Sequence, residues 1–114
     1  MIGSTGISSI VGCKPFQGIP DMLTVNEYFD GKVKSVAFQS STLPATIGVI
    51  SAGEYEFGTS EKETMTVVSG ELTVLLPGQQ DWQTFGAGES FEVAGQASFK
   101  AKTDADTAYL CTYG

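Results

Sequence analysis

From Lys32 onward the chain alternates short runs of β-favouring residues with turn residues. KVKSVAF, ATIGVISA, EYEFG, TMTVVSG, ELTVLLP, WQTF, SFEVA, SFKAK and TAYLCTY each have strand length and are rich in Val, Thr, Phe or Tyr. The breaks fall at Gly31, Gly53, Gly70, Pro77-Gly78, Gly86, Gly88 and Gly95, where glycine supplies turn geometry. The only helix-compatible stretch is a turn around residues 23 to 29. Many short strands at nearly even spacing predict an all-β antiparallel sandwich or barrel, and closure into a barrel would remove exposed edges.

The first 21 residues, MIGSTGISSIVGCKPFQGIPD, hold no such pattern. Rich in Gly, Ser and Pro, residues 1–21 read as an extension, flexible or packed on the barrel, ahead of a single domain over 22–114. Met22 reads as an alternative start. A chain of 114 residues suits one domain with a modest core. The IVGC stretch ending at Cys13 faintly resembles a lipoprotein box, but no basic start or sustained apolar run precedes it. No run approaches membrane-spanning length, so neither a membrane partner nor an anchor is expected.

Charge and residue types narrow the chemistry. Thirteen acids against six lysines give a formal net charge of -7, a poor match to nucleic acid, whose binding needs clustered cations. An anionic small substrate stays open, because salt screens the global field beyond roughly 8 Å and one local Lys then decides the potential. The sequence has no histidine. Ser-His-Asp and Cys-His relays and imidazole-metal ligation are therefore excluded. Proton transfer must use Glu, Asp, Lys, Tyr, Cys or water. Two cysteines far apart, Cys13 and Cys111, leave one disulfide open, with reduced cytoplasmic thiols the default.

The stretch GEYEFGTSEKETMTVVSGEL carries a more specific signal. Glu63 lies at the spacing before Gly70 that the ligand Glu occupies in the metal-binding barrels called cupins, and Phe57 and Thr59 stand where two histidines would precede it. The second such motif places Ala94 at its usual proline and Phe99 at its third histidine. NEYFDGKVKSVAF, TMTVVSGELTVLLP and DWQTF, in that order and spacing, resemble the small cupin family of pyrimidine/purine nucleoside phosphorylases from about Met22 to Tyr113. The resemblance implies a jelly-roll-like cupin barrel. With only Glu63 left of four ligands, no metal is expected.

The cupin register assigns faces. Tyr55, Phe57 and Thr59 are expected inward with Glu54 and Glu56 outward; Glu63, Met65 and Val67 share one face, and Phe99 shares its own with Ala97 and Ala101. In KVKSVAF the parity that sends the bulky Val36 and Phe38 inward also sends in Lys34, the expected phosphate contact, although a snorkelling strand-end Lys fits the same pattern. Glu63 reads either as a carboxylate satisfied by backbone amides or as a proton donor. Phe57 and Phe99 fit plain core or base stacking, and Tyr55 and Tyr109 fit packing or hydroxyls offered to a ribose. Trp82 is expected over a cavity mouth or at a dimer seam.

The resemblance implies phosphorolysis of purine and pyrimidine nucleosides to free base and pentose 1-phosphate, with inorganic phosphate as co-substrate and no cofactor. It also implies a homodimer. The expected catalytic pair is Glu63 and Lys34. Tyr55, Phe57, Thr59, Phe99 and Tyr109 are the expected substrate contacts. A non-catalytic cupin that binds a small ligand in the same lumen is the alternative.

Overall fold

The structure, a computed structural model, describes residues 23–114. The expected extension, Cys13 included, lies outside them. Ten strands follow one another with short turns: β1 Thr24–Tyr28, β2 Val33–Gln39, β3 Pro44–Ile50, β4 Gly53–Thr59, β5 Glu63–Ser69, β6 Glu71–Leu75, β7 Gln83–Gly86, β8 Ser90–Val93, β9 Ala97–Thr103 and β10 Thr107–Tyr113. β2 through β10 fall where the alternating runs predicted them. β1 corrects the helical turn expected around residues 23 to 29.

The strands form two antiparallel sheets. One has six strands in the order β1-β2-β3-β10-β5-β8, the other four in the order β4-β9-β6-β7. Their inner faces meet in one core containing Val33, Ile50, Met65, Val67, Tyr109 and Cys111 from the larger sheet and Tyr55, Leu72, Val74, Phe99 and Ala101 from the smaller. Leu72, Val74, Val67 and Val33 are fully buried. Each such side chain contributes about 1.5–3 kcal/mol through removal of apolar surface from water.

Two close approaches set the geometry around the core. A side chain at Gly70, in the β5–β6 turn at φ 91°, would lie 2.7 Å from the Thr107 hydroxyl, so that turn accepts only glycine. A Cβ at Gly48 would sit 2.6 Å from the end of the Tyr109 ring. That missing side chain lets Tyr109 lie flat across β3.

Candidate functional site

The inner face of the four-stranded sheet is an aromatic wall. Tyr55, Phe57 and Thr59 alternate inward from β4 while Glu54 and Glu56 stand in solvent, as the period of two requires. β9 pairs with β4 so that Phe57 lies opposite Phe99 and Tyr55 opposite Ala101. Ring contacts run from the Phe57–Phe99 pair at 5.6 Å, through Phe99–Phe91 at 6.1 Å, to Phe91–Phe85 at 4.8 Å. These separations suit tilted and edge-to-face packing.

Phe29 extends the wall to its outer end. The β1–β2 turn closes with the Gly31 amide donating to the Tyr28 carbonyl at 3.1 Å, and Phe29 and Asp30 both sit at positive φ, 54° and 57°. Left-handed backbone at a bulky residue costs about 1–2 kcal/mol. The Phe29 ring offsets that strain by packing 4.9 Å from Tyr55 and 5.7 Å from Phe57, while remaining 43% exposed. Trp82 meets the Lys102 ammonium at 4.1 Å on the outer face of the four-stranded sheet and so does not cover the inner wall. Phe29 is the aromatic residue that caps the wall, and its strained turn is the signal a sequence does not display.

Glu63 opens β5 and faces inward, level with Tyr113 on β10 and Val93 on β8. It is buried, and the Cys111 thiol donates to its Oε1 at 3.5 Å. Burial pushes its carboxyl up from 4.5 to about 7; the nearby Glu61 charge adds to the rise and the Cys111 thiol opposes it. A carboxyl titrating near neutrality can hold or release a proton there, which an ordinary surface Glu cannot.

The other expected site residues divide. Phe57 and Phe99 stand together near the cupin ligand positions. Tyr109 faces inward across Gly48. Tyr55 is inward, but its hydroxyl donates to the Ser51 carbonyl at 3.0 Å, which ties it to the β3–β4 turn and corrects the idea that it is offered to a sugar. Thr59 donates to the Ala94 carbonyl at 2.7 Å and accepts from the Ala97 amide at 3.0 Å, so its hydroxyl fastens the β8–β9 loop.

Lys34 lies on the opposite face from the one expected. Val33, Ser35 and Ala37 are the buried positions of β2, and Lys34 points outward with Nζ 3.6 Å from Glu27. Bulk misled the assignment: Val36 and Phe38 lie on the outer face, and small residues line the inner one. The inward residues that sequence reasoning passed over are Asn26 and Ser35. They are paired directly across β1 and β2, both buried, and the Asn26 Nδ2 and the Ser35 Oγ have no hydrogen-bond partner among the described residues.

The cupin metal does not fit this donor set. Phe57 and Phe99 present phenyl rings, the Thr59 hydroxyl is committed to backbone, and Glu63 is one carboxylate where a site needs three or four ligands. No cluster of three metal-ligating side chains occurs among the described residues. No helix among them is long and apolar enough to cross a membrane.

Comparison with known proteins bears on this geometry. A Magnetococcus marinus pyrimidine/purine nucleoside phosphorylase is 67% identical over 93 residues, which is 82% of this chain and all of the relative. The Alcanivorax borkumensis protein of the same name is 66% identical over 82% of this chain and 99% of its own. Among solved structures, a Vibrio parahaemolyticus protein of unknown function is 45% identical with a TM-score of 0.78, covering 82% of this chain and 99% of that one. An RmlC-like cupin from Shewanella frigidimarina, 21% identical with a TM-score of 0.64 over 84% of this chain and 86% of its own, shares the fold. The sequence profile described as pyrimidine/purine nucleoside phosphorylase matches residues 23–113. This cupin fold, with Phe57, Thr59 and Phe99 at the histidine positions and Glu63 as the remaining acid, thus belongs to the pyrimidine/purine nucleoside phosphorylase family.

Proposed function

We propose that this protein cleaves purine and pyrimidine nucleosides with inorganic phosphate, as its relatives' names describe, releasing free base and pentose 1-phosphate. A phosphate oxygen bonds to the anomeric carbon while the carbon–nitrogen bond breaks and its electron pair leaves with the base. The sugar passes through an oxocarbenium-like state, as in glycoside hydrolysis, and the attacking phosphate supplies the stabilising anion.

The observation that carries this reading is Glu63, an inward, buried acid on β5 with the Cys111 thiol as its partner, lifted by burial to about 7. In its protonated form it donates a proton or hydrogen bond to the departing base, and it does not repel the incoming phosphate. Phe57 and Phe99 hold the base by its faces, a mode that tolerates purines and pyrimidines alike because every base has a π-face. Tyr55 and Tyr109 shape the wall around it. Thr59 holds the frame rather than the substrate, and Lys34, outside the lumen, has no direct part. The reading needs no metal.

The same reading includes a homodimer working in the cytoplasm on nucleoside salvage. The outer face of the six-stranded sheet supports pairing with a second copy. Val25, Val36, Ile47 and Leu110 lie in register across β1, β2, β3 and β10, with Val49 beside them. Val25, Ile47 and Val49 are exposed. On that face of those strands the charged residues are Glu27 and Lys34, which neutralise each other. A chain of net charge -7 repels its own copy elsewhere, and here it does not.

The test is incubation of the purified protein with uridine or inosine, with and without phosphate. Phosphate-dependent release of free base and pentose 1-phosphate is expected. Binding of nucleoside with no release under either condition would replace the enzyme with a ligand-binding cupin.

A further inference from the structure

We infer that Asn26 and Ser35 form the subsite that grips the ribose hydroxyls of the substrate. This rests on the phosphorolysis reading above and adds to it residues that neither the cupin motifs nor the family resemblance singles out.

The starting observation is an unmet need. Asn26 is 6% exposed and Ser35 1%, and each leaves a polar atom with no hydrogen-bond partner among the described residues. An unsatisfied buried polar group costs about 1–3 kcal/mol, so native chains rarely keep one without a use, and here two stand side by side. They are directly opposed across antiparallel strands, which sets their Cβ atoms about 4.5–5.5 Å apart. Both lie on the inner face of the six-stranded sheet. On the next strand the same row holds Gly48, over which the hydroxyl end of the Tyr109 ring lies.

The chemistry of the pair selects among the parts of a nucleoside. Neither group is charged, and among the described residues every lysine is exposed or on an outer face, so this end of the lumen does not suit a phosphate dianion. An amide and a hydroxyl both donate and accept, which matches sugar hydroxyls, themselves donors and acceptors on neighbouring carbons. The base edges of purines and pyrimidines differ, whereas the sugar is common to both. Directional contacts to the ribose, with face-on contacts to the base, are the combination that admits both classes.

The placement is consistent with the remaining residues. Ser35, Gly48, Tyr109 and Val67 share one level, so Glu63 lies three strands away and four residues further along, about 20 Å measured flat on the sheet. A nucleoside directed from the pair toward Glu63 puts its sugar at the β1–β2 end under Phe29 and its base toward Phe57 and Phe99. Phe29 follows Asn26 by three residues, roughly 10 Å along the strand, so one hairpin supplies both the sugar contact and the aromatic cap.

The experiment compares the full-length protein with its Ser35→Ala and Asn26→Ala variants. Phosphate-dependent kcat/KM is measured on uridine, 2′-deoxyuridine and 3′-deoxyuridine, alongside thermal melting. The wild type is expected to favour uridine over at least one deoxy analogue, and each variant to lose about five- to tenfold of that preference, the worth of one hydrogen bond. Ser35→Ala should melt no lower than wild type, because it removes an unpartnered group. An unchanged preference, or a lower melting temperature with the preference intact, assigns the pair to holding a structural water and overturns the inference while phosphorolysis stands. Absence of phosphate-dependent turnover in the wild type overturns both.

Discussion

The two sheets treat their faces in opposite ways. On the four-stranded sheet, inward Tyr55, Phe57, Phe99 and Ala101 alternate with outward Glu54, Glu56, Lys100 and Lys102, so apolar residues face the core and charges face water. The six-stranded sheet breaks the rule on both sides. Asn26, Ser35, Thr46 and Glu63 are buried on its inner face, and Val25, Ile47 and Val49 are exposed on its outer one. A sheet that obeys alternation needs only a core to explain it. Thr46 and Glu63 find partners in Tyr113 and Cys111, whereas the Asn26 Nδ2, the Ser35 Oγ and the exposed apolar row have none among the described residues and are the places suited to a ligand inside and a protein surface outside.

The largest effect expected from disturbing this contrast is at Glu63. Glu63→Gln removes the exchangeable proton while keeping the shape, and kcat should fall by about 100-fold or more. Steady-state assays of phosphorolysis measure it, and full activity would remove Glu63 from the chemistry. The pH dependence has a definite sign. The carboxyl is raised from 4.5 to about 7 in the folded chain, so its contribution to stability is complete below pH 4.5 and is lost as pH rises through about 7. Glu63→Gln should therefore be less active yet more stable than wild type at pH 8, by roughly 1–2 kcal/mol once partial solvent access is allowed for. In the wild type, activity that depends on the protonated acid should decline above pH 7, and the variant's residual rate should not follow that curve.

Next in size is the outer face. Ile47→Lys places a charge at the centre of the apolar row, and the dissociation constant of the proposed dimer, measured by analytical ultracentrifugation, should rise by about tenfold or more. Lys100→Ala, on the solvated face of the other sheet, is the matched control and should leave association unchanged. Equal behaviour of the two variants would erase the distinction between the outer faces.

Smaller effects are expected at the hairpin. Phe29→Asn relieves left-handed strain, since Asn tolerates positive φ, while deleting the ring over Tyr55 and Phe57. Nucleoside KM should rise about five- to tenfold with little change in melting temperature, whereas a residue of purely structural value would show the reverse. Lys34→Ala should be the mildest. An exposed ion pair with Glu27 is worth under about 1 kcal/mol, and phosphate KM should stay within about twofold. A large rise in phosphate KM would return Lys34 to the site despite its outward position.

The same contrast explains what could be read from the chain. The four-stranded sheet was legible: EYEFG and SFKAK alternate charge with aromatic or small residues, so the strands followed from the pattern, while their inward faces and the Phe57–Phe99 neighbourhood followed from the cupin resemblance. In the six-stranded sheet hydrophobicity no longer marks the inside. TVNEY buries its Asn and exposes its Val, so β1 did not look like a strand, and KVKSVAF turns its bulkier residues outward, so its parity was assigned backwards and Lys34 with it. Asn26 and Ser35 went unnoticed for the same reason.

Strand lengths and turns, the lack of imidazole chemistry, and the replacement of cupin ligands by Phe57, Thr59 and Phe99 are written in the residues themselves. These depend on residue identity and on a local period of two. Which parity of β2 faces the core, which strands lie side by side to join Asn26 to Ser35, how far Phe29 reaches, and how deeply Glu63 is buried depend on the folded packing. A strand's alternation is fixed by its backbone, but its sign is set by the sheet packed against it, and desolvation exists only once that sheet is in place.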